Sequence, residues 1–542
     1  MVWPERCRSI CKKRTCSSYL NLMEIQLILF LLVGVTIISW LLRLRGIRTA
    51  YIWMAIIAVS LIVWGLVLLM PPQKETVFEY KNWFMLADKT ISLKYSINPT
   101  NFAFLFLTIA YNLSFFLTAV SRLNIRSDLN YWTVQLLLTI CAVLAFSASN
   151  LWSLLLAWTL LDVLNFLYQL GTNSDTIKDE IFRATLIKFA GSMLFVLSTV
   201  KTAGMNLNID LDNLAVMPQH SFFLAALLHS GILPYPIKNK EGLITKKIID
   251  HSFSIISFAV SFVLILKLTG LQISPLAAIP LKLFLFTILI IFAYKWMTTS
   301  SSVFNPINLL YVASCILTLF YISNAYISIF FFIASIMFGL LFSGLMTHYD
   351  RSLLLFPAIA ILFISGLPLT LFSLGSHGFL SGGITLDSLF VSAAYILMLS
   401  GFFALLFNKK EKFDGLDTWY QMSYLSGLLI FLVSLLLIGF RNLSSISDEF
   451  NLWWFSVIIF GSSLMIFLFF LRKEKPKKAE LQQKKQTTPT FFSLQWLFKI
   501  FVILVRRVQM VIVSVSQLLE GEGGVLWALV LLFLLISIIN PK

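Results

Sequence analysis

MEIQLILFLLVGVTIISWLL, residues 23 to 42, carries a carboxylate near its start and no other charge, and Arg43, Arg45 and Arg48 follow it directly. A helix of that length rises about 30 Å, the thickness of the hydrocarbon core of a bilayer. About sixteen runs of this kind lie between Met23 and Ile539, which predicts an all-α polytopic membrane protein.

Composition points the same way. Of 542 residues, 58% are hydrophobic, 50 are Phe and only 12% are charged, too little polar surface to cover a soluble globule. The runs lack the alternation of a membrane β-barrel, and a backbone facing lipid must satisfy its own hydrogen bonds, so the spans are expected to be helical.

The basic residues orient the bundle. Arg43, Arg45, Arg48, then Arg122, Arg126, then Lys178, Arg183, then Lys238, Lys240, Lys246 and Lys247 follow odd-numbered runs, as do Lys295, Arg351 and Lys409, Lys410, Lys412. Connections after even-numbered runs hold mainly Lys74, Lys81, Lys89 and Lys94, offset by Glu75, Glu79 and Asp88. The positive-inside rule makes the first set cytoplasmic. The net charge of +16 is therefore topology, and a nucleic-acid partner is not expected, because the basic residues flank spans and form no separate domain.

Residues 1–22 break this pattern with Arg6, Arg8, Lys12, Lys13 and Arg14, and Met23 directly precedes the first run. Met23 is the expected natural initiator. A cleaved signal peptide fails because no small-residue cleavage site follows the apolar run. The spacing of Cys7, Cys11 and Cys16 matches no zinc pattern. Cys141 and Cys315 lie within spans and read as small apolar packers. At the other end, a charged stretch from Arg472 leads into Phe491–Leu519, where Leu494, Leu497, Phe498, Phe501, Leu504, Val505, Val508 and Val511 recur at helical spacing. With Arg506 and Arg507 near its centre, this segment is expected to lie along the interface and not to cross the bilayer.

Several strings resemble one family. ISLKYSINPTNFAFL (91–105) looks like a short outer strand leading into the third span, with Asn98-Pro99 where the family has Asp-Pro. NLWSLLLAWTLLDV (150–163) looks like the fifth span. HSGILPYP (229–236) is similar to a broken seventh span, and GLPLT (366–370) to a break in the twelfth. Together they resemble the antiporter-like membrane subunits of respiratory complex I, its hydrogenase relatives and the multi-subunit cation/proton antiporters. The tail resembles the largest type, which ends in a lateral helix and one last span. After the basic extension over 1–22, the resemblance implies an antiporter-like domain of fifteen helices over 23–471, a charged linker over 472–489, a lateral amphipathic helix over 490–519 and a final span over 520–542.

Such subunits carry ionisable residues at mid-membrane depth, where burial ties each proton to its neighbours' charges. Carried over residue by residue, the family's fifth-span Glu falls on Thr159, with Asp162 on nearly the same helical face. The seventh-span Lys falls on His229, which can titrate near neutral pH. His251 lies two residues from the eighth-span histidine position and also reads as an interfacial residue. Phe338 stands in place of the eleventh-span Lys, and the twelfth offers only Ser376, His377 or Gly382. Asp162 and Lys188, on consecutive antiparallel spans, are expected to meet one to two turns from their cytoplasmic ends, either as a proton-coupled pair or as a structural ion pair. Thr159, Asp162, Lys188, His229 and His251 are thus the candidate proton-path residues.

The sequence contains no P-loop, dinucleotide fingerprint or cysteine ladder, so no cofactor is expected and redox chemistry would belong to partner subunits. The expected function is that of a proton-translocating, or degenerate and scaffold-like, subunit of a complex I-like oxidoreductase in the plasma or inner membrane. Its expected partners are other membrane subunits, the bilayer, and protons or sodium ions. A cation/proton antiporter subunit and a non-transporting structural subunit are the alternatives. A glycan polymerase or flippase is disfavoured, because the outer loops are modest.

Overall fold

The apolar runs fold as helices, and polar residues fix where several of them begin. A computed structural model describes residues 5–70, 76–86, 89–97, 99–122, 128–172, 178–203, 210–211, 219–230, 244–267, 275–299, 313, 326–346, 355–366, 370, 386–407, 417–441 and 453–474. The lateral helix, the last span, nearly all of the tenth span and Ser376, His377 and Gly382 lie outside the described residues. The chain divides into two compact units, Met1–Phe84 with Thr90–Phe470, and Met85–Lys89 with Leu471–Lys542. The second is described only at 85–86, 89 and 471–474.

The elements run α1 (Glu5–Leu44), α2 (Thr49–Leu69), β1 (Thr76–Leu86), β2 (Lys89–Ile97), α3 (Pro99–Thr118), α4 (Asp128–Ser147), α5 (Leu151–Thr172), α6 (Lys178–Ala203), α7 (Gln219–His229), α8 (Ile244–Lys267) and α9 (Pro275–Thr299). They continue as α10 (Tyr326–Leu345), α11 (Leu355–Ile364), α12 (Leu386–Leu406), α13 (Thr418–Arg441) and α14 (Trp453–Glu474). Among the described residues, nine helices are long and apolar enough to cross a bilayer, and shorter apolar helices accompany them. Two of the short ones fall where breaks were expected. The described part of α7 reaches His229, with Ser230 in a turn. Helix α11 stops at Ile364, and Gly366 takes φ +84°, the left-handed conformation that a glycine accepts after a helix end. The carbonyls freed there are not left bare: Ile364 O accepts from the Tyr395 hydroxyl and Gly366 O accepts from Ser456 Oγ at 2.6 Å.

The outer strand expected ahead of the third span is β2, and α3 starts on Pro99, a residue suited to the first helical turn. Its partner β1 was not anticipated. Glu79 and Lys81 suggest a polar loop, yet the Thr, Val, Phe, Tyr and Trp around them favour a strand once β2 offers an edge.

Hydrogen bonds between elements group the connections on the same two faces that the charges group them on. Ser149 N donates to Lys94 O at 3.0 Å, Leu211 N donates to Ser149 O at 2.8 Å, and Lys94 Nζ meets Asp210 Oδ2 at 2.7 Å. The segments after α2, α4 and α6 therefore share one face. On the other face, Lys246 Nζ at the start of α8 donates to Thr172 O at the end of α5 at 3.0 Å, and Arg43 at the end of α1 donates to Asn130 at the start of α4. The core centres on α3, whose span is almost wholly buried. Asn112 on it donates to Ser60 Oγ of α2 at 3.2 Å and accepts from Thr139 Oγ1 of α4 at 2.9 Å. Such bonds join helices where apolar packing alone has no preference over lipid.

Candidate functional site

Helix α5 is anchored by its cap. Asn150 Oδ1 accepts from Ser153 N at 2.9 Å, the N-cap arrangement, while Asn150 Nδ2 donates to Ser92 O in β2 at 2.6 Å. From this fixed start the next turns present Trp158 and Asp162 to the interior, with Trp158 fully buried. Thr159 falls on the exposed face, its hydroxyl turned back to Leu156 O at 2.9 Å.

Asp162 is the centre of the site. Its Oδ1 lies 3.9 Å from Lys188 Nζ on α6, and its Oδ2 lies 3.2 Å from His229 Nε2 on α7. The expected pair is thus part of a triad, and the histidine makes the closer contact. Asp162 sits about 15 Å of helix rise from Thr172, and Lys188 about 15 Å from Lys178, so the pair lies about three turns deep. The shallower position expected from sequence came from ending the fifth span too early and starting the sixth too late.

Each base has a second partner on α8. Lys188 Nζ donates to Ser257 Oγ at 2.9 Å, and His229 Nδ1 lies 2.7 Å from Ser261 Oγ. The imidazole is completely buried and stacks on the Trp158 indole, centroids 3.9 Å apart and planes 9° apart. Neither His229 Nε2 nor Asp162 Oδ1 has an aligned hydrogen-bond partner among the described residues, so the two bases stand close to the carboxylate without an aligned hydrogen bond to it. Gly191 permits this geometry: a Cβ there would meet His229 N at 2.8 Å and Ala225 O at 2.9 Å. Side chains at this depth are expensive to ionise alone, and together they offer one carboxylate to two bases.

His251 is not brought into the triad. It lies on α8 about 15 Å of helix rise from Ser261, half-buried beside Asp250, which accepts from Gln169 at 3.1 Å. Sequence reasoning missed Ser257, Ser261, Trp158 and Gly191. The serines were visible in principle, because they stand four residues apart, on one face of a helix.

The far side of the bundle differs. Phe338 is buried and stacks on Phe431 at 4.9 Å and on Phe342 at 5.8 Å. In α10 to α14, Asp, Glu, Lys and Arg occur only at the first or last residues of each helix, and His is absent.

Fold and site together define an all-α polytopic membrane protein with a buried acid, amine and imidazole in its amino-terminal half. No protein-family model and no curated protein matches the sequence. Solved structures do. One chain in the structure of the Mrp complex from Dietzia sp. DQ12-45-1b superposes with a TM-score of 0.61 at 14% identity, over 95% of this chain and 62% of that one, so this chain spans less than two thirds of it. A chain of the membrane-bound sulfane sulfur reductase, an archaeal respiratory membrane complex, gives 0.57 at 12% identity over 95% of this chain and 100% of that one. A chain of respiratory complex I from Thermus thermophilus gives 0.52 at 14% identity over 76% and 97%. The fold is the one these membrane-complex chains share, in divergent form.

Proposed function

We propose that this chain is a membrane subunit of an Mrp-like or complex I-like assembly in the plasma or inner membrane, and that Asp162, Lys188 and His229 handle protons in its amino-terminal half. The convergence of three titratable side chains three turns deep supports this reading, since a scaffold gains little from burying them where apolar residues would pack as well. A carboxylate between an amine and an imidazole couples their protons: neutralising one group changes what the other two can hold.

The Phe338 stack favours a second reading for the other half. Transport across the whole bilayer needs connected ionisable or hydrated groups, and the described helices α10 to α14 supply hydroxyls but no interior charge. In this reading the carboxy-terminal half is a scaffold, and a proton taken up at the triad leaves by another subunit or returns.

Affinity purification of the full chain from its own membranes should bring further membrane subunits with it; recovery of the chain alone would end the assembly reading. In that assembly, Asp162→Asn should reduce proton movement into inverted vesicles by roughly a hundredfold with the subunits still together. Loss of assembly instead would make the triad a structural tie among α5, α6 and α7.

A further inference from the structure

We infer that Ser261 fixes the histidine with its proton on Nδ1, and so leaves Nε2, the nitrogen beside Asp162, as the one that gains and loses a proton. The inference rests on the proton-handling reading for its significance, but it stands on geometry. A hydroxyl has one hydrogen to donate. Ser261 Oγ donates to the Ser257 carbonyl oxygen at 2.8 Å, and a carbonyl can only accept. The same Oγ lies 2.7 Å from His229 Nδ1, so in that contact the serine accepts and the ring nitrogen donates. With Nδ1 protonated, a neutral ring would leave Nε2 bare 3.2 Å from a carboxylate oxygen, in a site where His229 is fully buried. A bare ring nitrogen and a carboxylate oxygen at that distance repel in a low dielectric, and a proton on either one removes the repulsion.

That proton has two resting places. On Nε2 it makes an imidazolium facing a carboxylate, and Asp162 keeps a charge for Lys188. Transferred to Oδ2, it leaves a neutral Nδ1–H ring and a carboxylic acid, and no other bond changes. Lys188 then has lost its charge partner but keeps Ser257, which accepts from it at 2.9 Å. The two serines, one turn apart on α8, therefore divide the work. Ser261 sets the direction in which the ring gives up its proton, and Ser257 holds the amine while the carboxylate is neutral. Among the described residues, Asp162 from α5 is the charged group against the ring, Lys188 from α6 reaches that carboxylate and Ser257, and α8 presents these two hydroxyls. Ser261 is a positioning residue in this account.

Nitrogen-15 NMR on the full chain in lipid nanodiscs, labelled at its five histidines, tests the assignment. The His229 signals are identified by their loss in His229→Gln. In the neutral ring of the wild type, Nδ1 should carry the proton and Nε2 should be bare. Ser261→Ala should reverse this pattern, with Nδ1 bare and Nε2–H retained toward Asp162, and Ser261→Thr, which keeps the hydroxyl, should behave as wild type. A bare Nδ1 in the wild type overturns the inference without any variant, and so does an unchanged pattern in Ser261→Ala. The readout needs no transport: an inactive protein with the expected nitrogen pattern would refute proton translocation and leave the assignment intact.

Discussion

Thr159 and Asp162 show how a shift of one turn changes what a residue can do. Aligning short strings puts the family's glutamate on Thr159, yet that side chain is exposed and bonded to its own helix, while Asp162 points at two bases. A carboxylate moved back to 159 would not reach Lys188 or His229. Asp162→Asn combined with Thr159→Glu should therefore transport no better than Asp162→Asn alone; recovery of proton movement in the double variant would show that either position can serve. The Asn150 cap makes a second expectation. Asn150→Ala removes the bond to Ser153 N and the bond to Ser92 O, and should destabilise the subunit by about 1 to 2 kcal/mol in thermal unfolding. An unchanged melting temperature would mean that neighbouring contacts already hold α5 in place. At this scale much of the site was legible, because ionisable residues inside apolar runs stand out. The Trp158 stack and the serine hydroxyls were not, since a tryptophan or serine in a span has ordinary packing roles and only the neighbouring helix gives it another.

Among the elements, α6 and α7 depend on close approach. Gly191 brings the backbone of α6 against His229 N and Ala225 O, and backbone atoms cannot rotate away from an added methyl as a side chain can. Gly191→Ala should separate these helices by a few tenths of an ångström, at a cost of about 1 to 3 kcal/mol, and lengthen the contact between Asp162 and His229. A structure of the variant with that contact still at 3.2 Å would show that the helices have slack. Helix α11 is the counterpart in the other half, with its stop at Ile364 made tolerable by hydroxyls from Tyr395 and Ser456. The break itself was readable from Gly366 and Pro368, which punctuate an apolar run. The partners that satisfy it were not readable, because they come from helices distant in sequence. The unforeseen β1 has the same origin: a strand takes its bonds from a neighbour, whereas a helix carries its own.

For the molecule as a whole, the two halves differ in kind. One holds the triad, and the other, among the described helices, an aromatic stack where the resemblance in sequence implied an amine. If the triad handles protons, an assembled His229→Ala variant should, like Asp162→Asn, move fewer protons per turnover, whereas an unchanged number would leave this chain a scaffold. A clear drop with assembly preserved would show that a path passes through His229 despite Phe338. Asp162 also has an electrical address. It lies about 16 Å of helix rise from Leu151 and about 15 Å from Thr172, near the middle of α5. One elementary charge crossing the full membrane potential gains or loses about 2.3 kcal/mol per 100 mV, so a proton arriving at Asp162 from either aqueous phase traverses roughly half of that, about 1.2 kcal/mol. This is equivalent to roughly 0.8 pH unit at the site. Energising the membrane would thus load or empty the triad with no change in the pH of either compartment, and a voltage pulse would be as effective a trigger as acid.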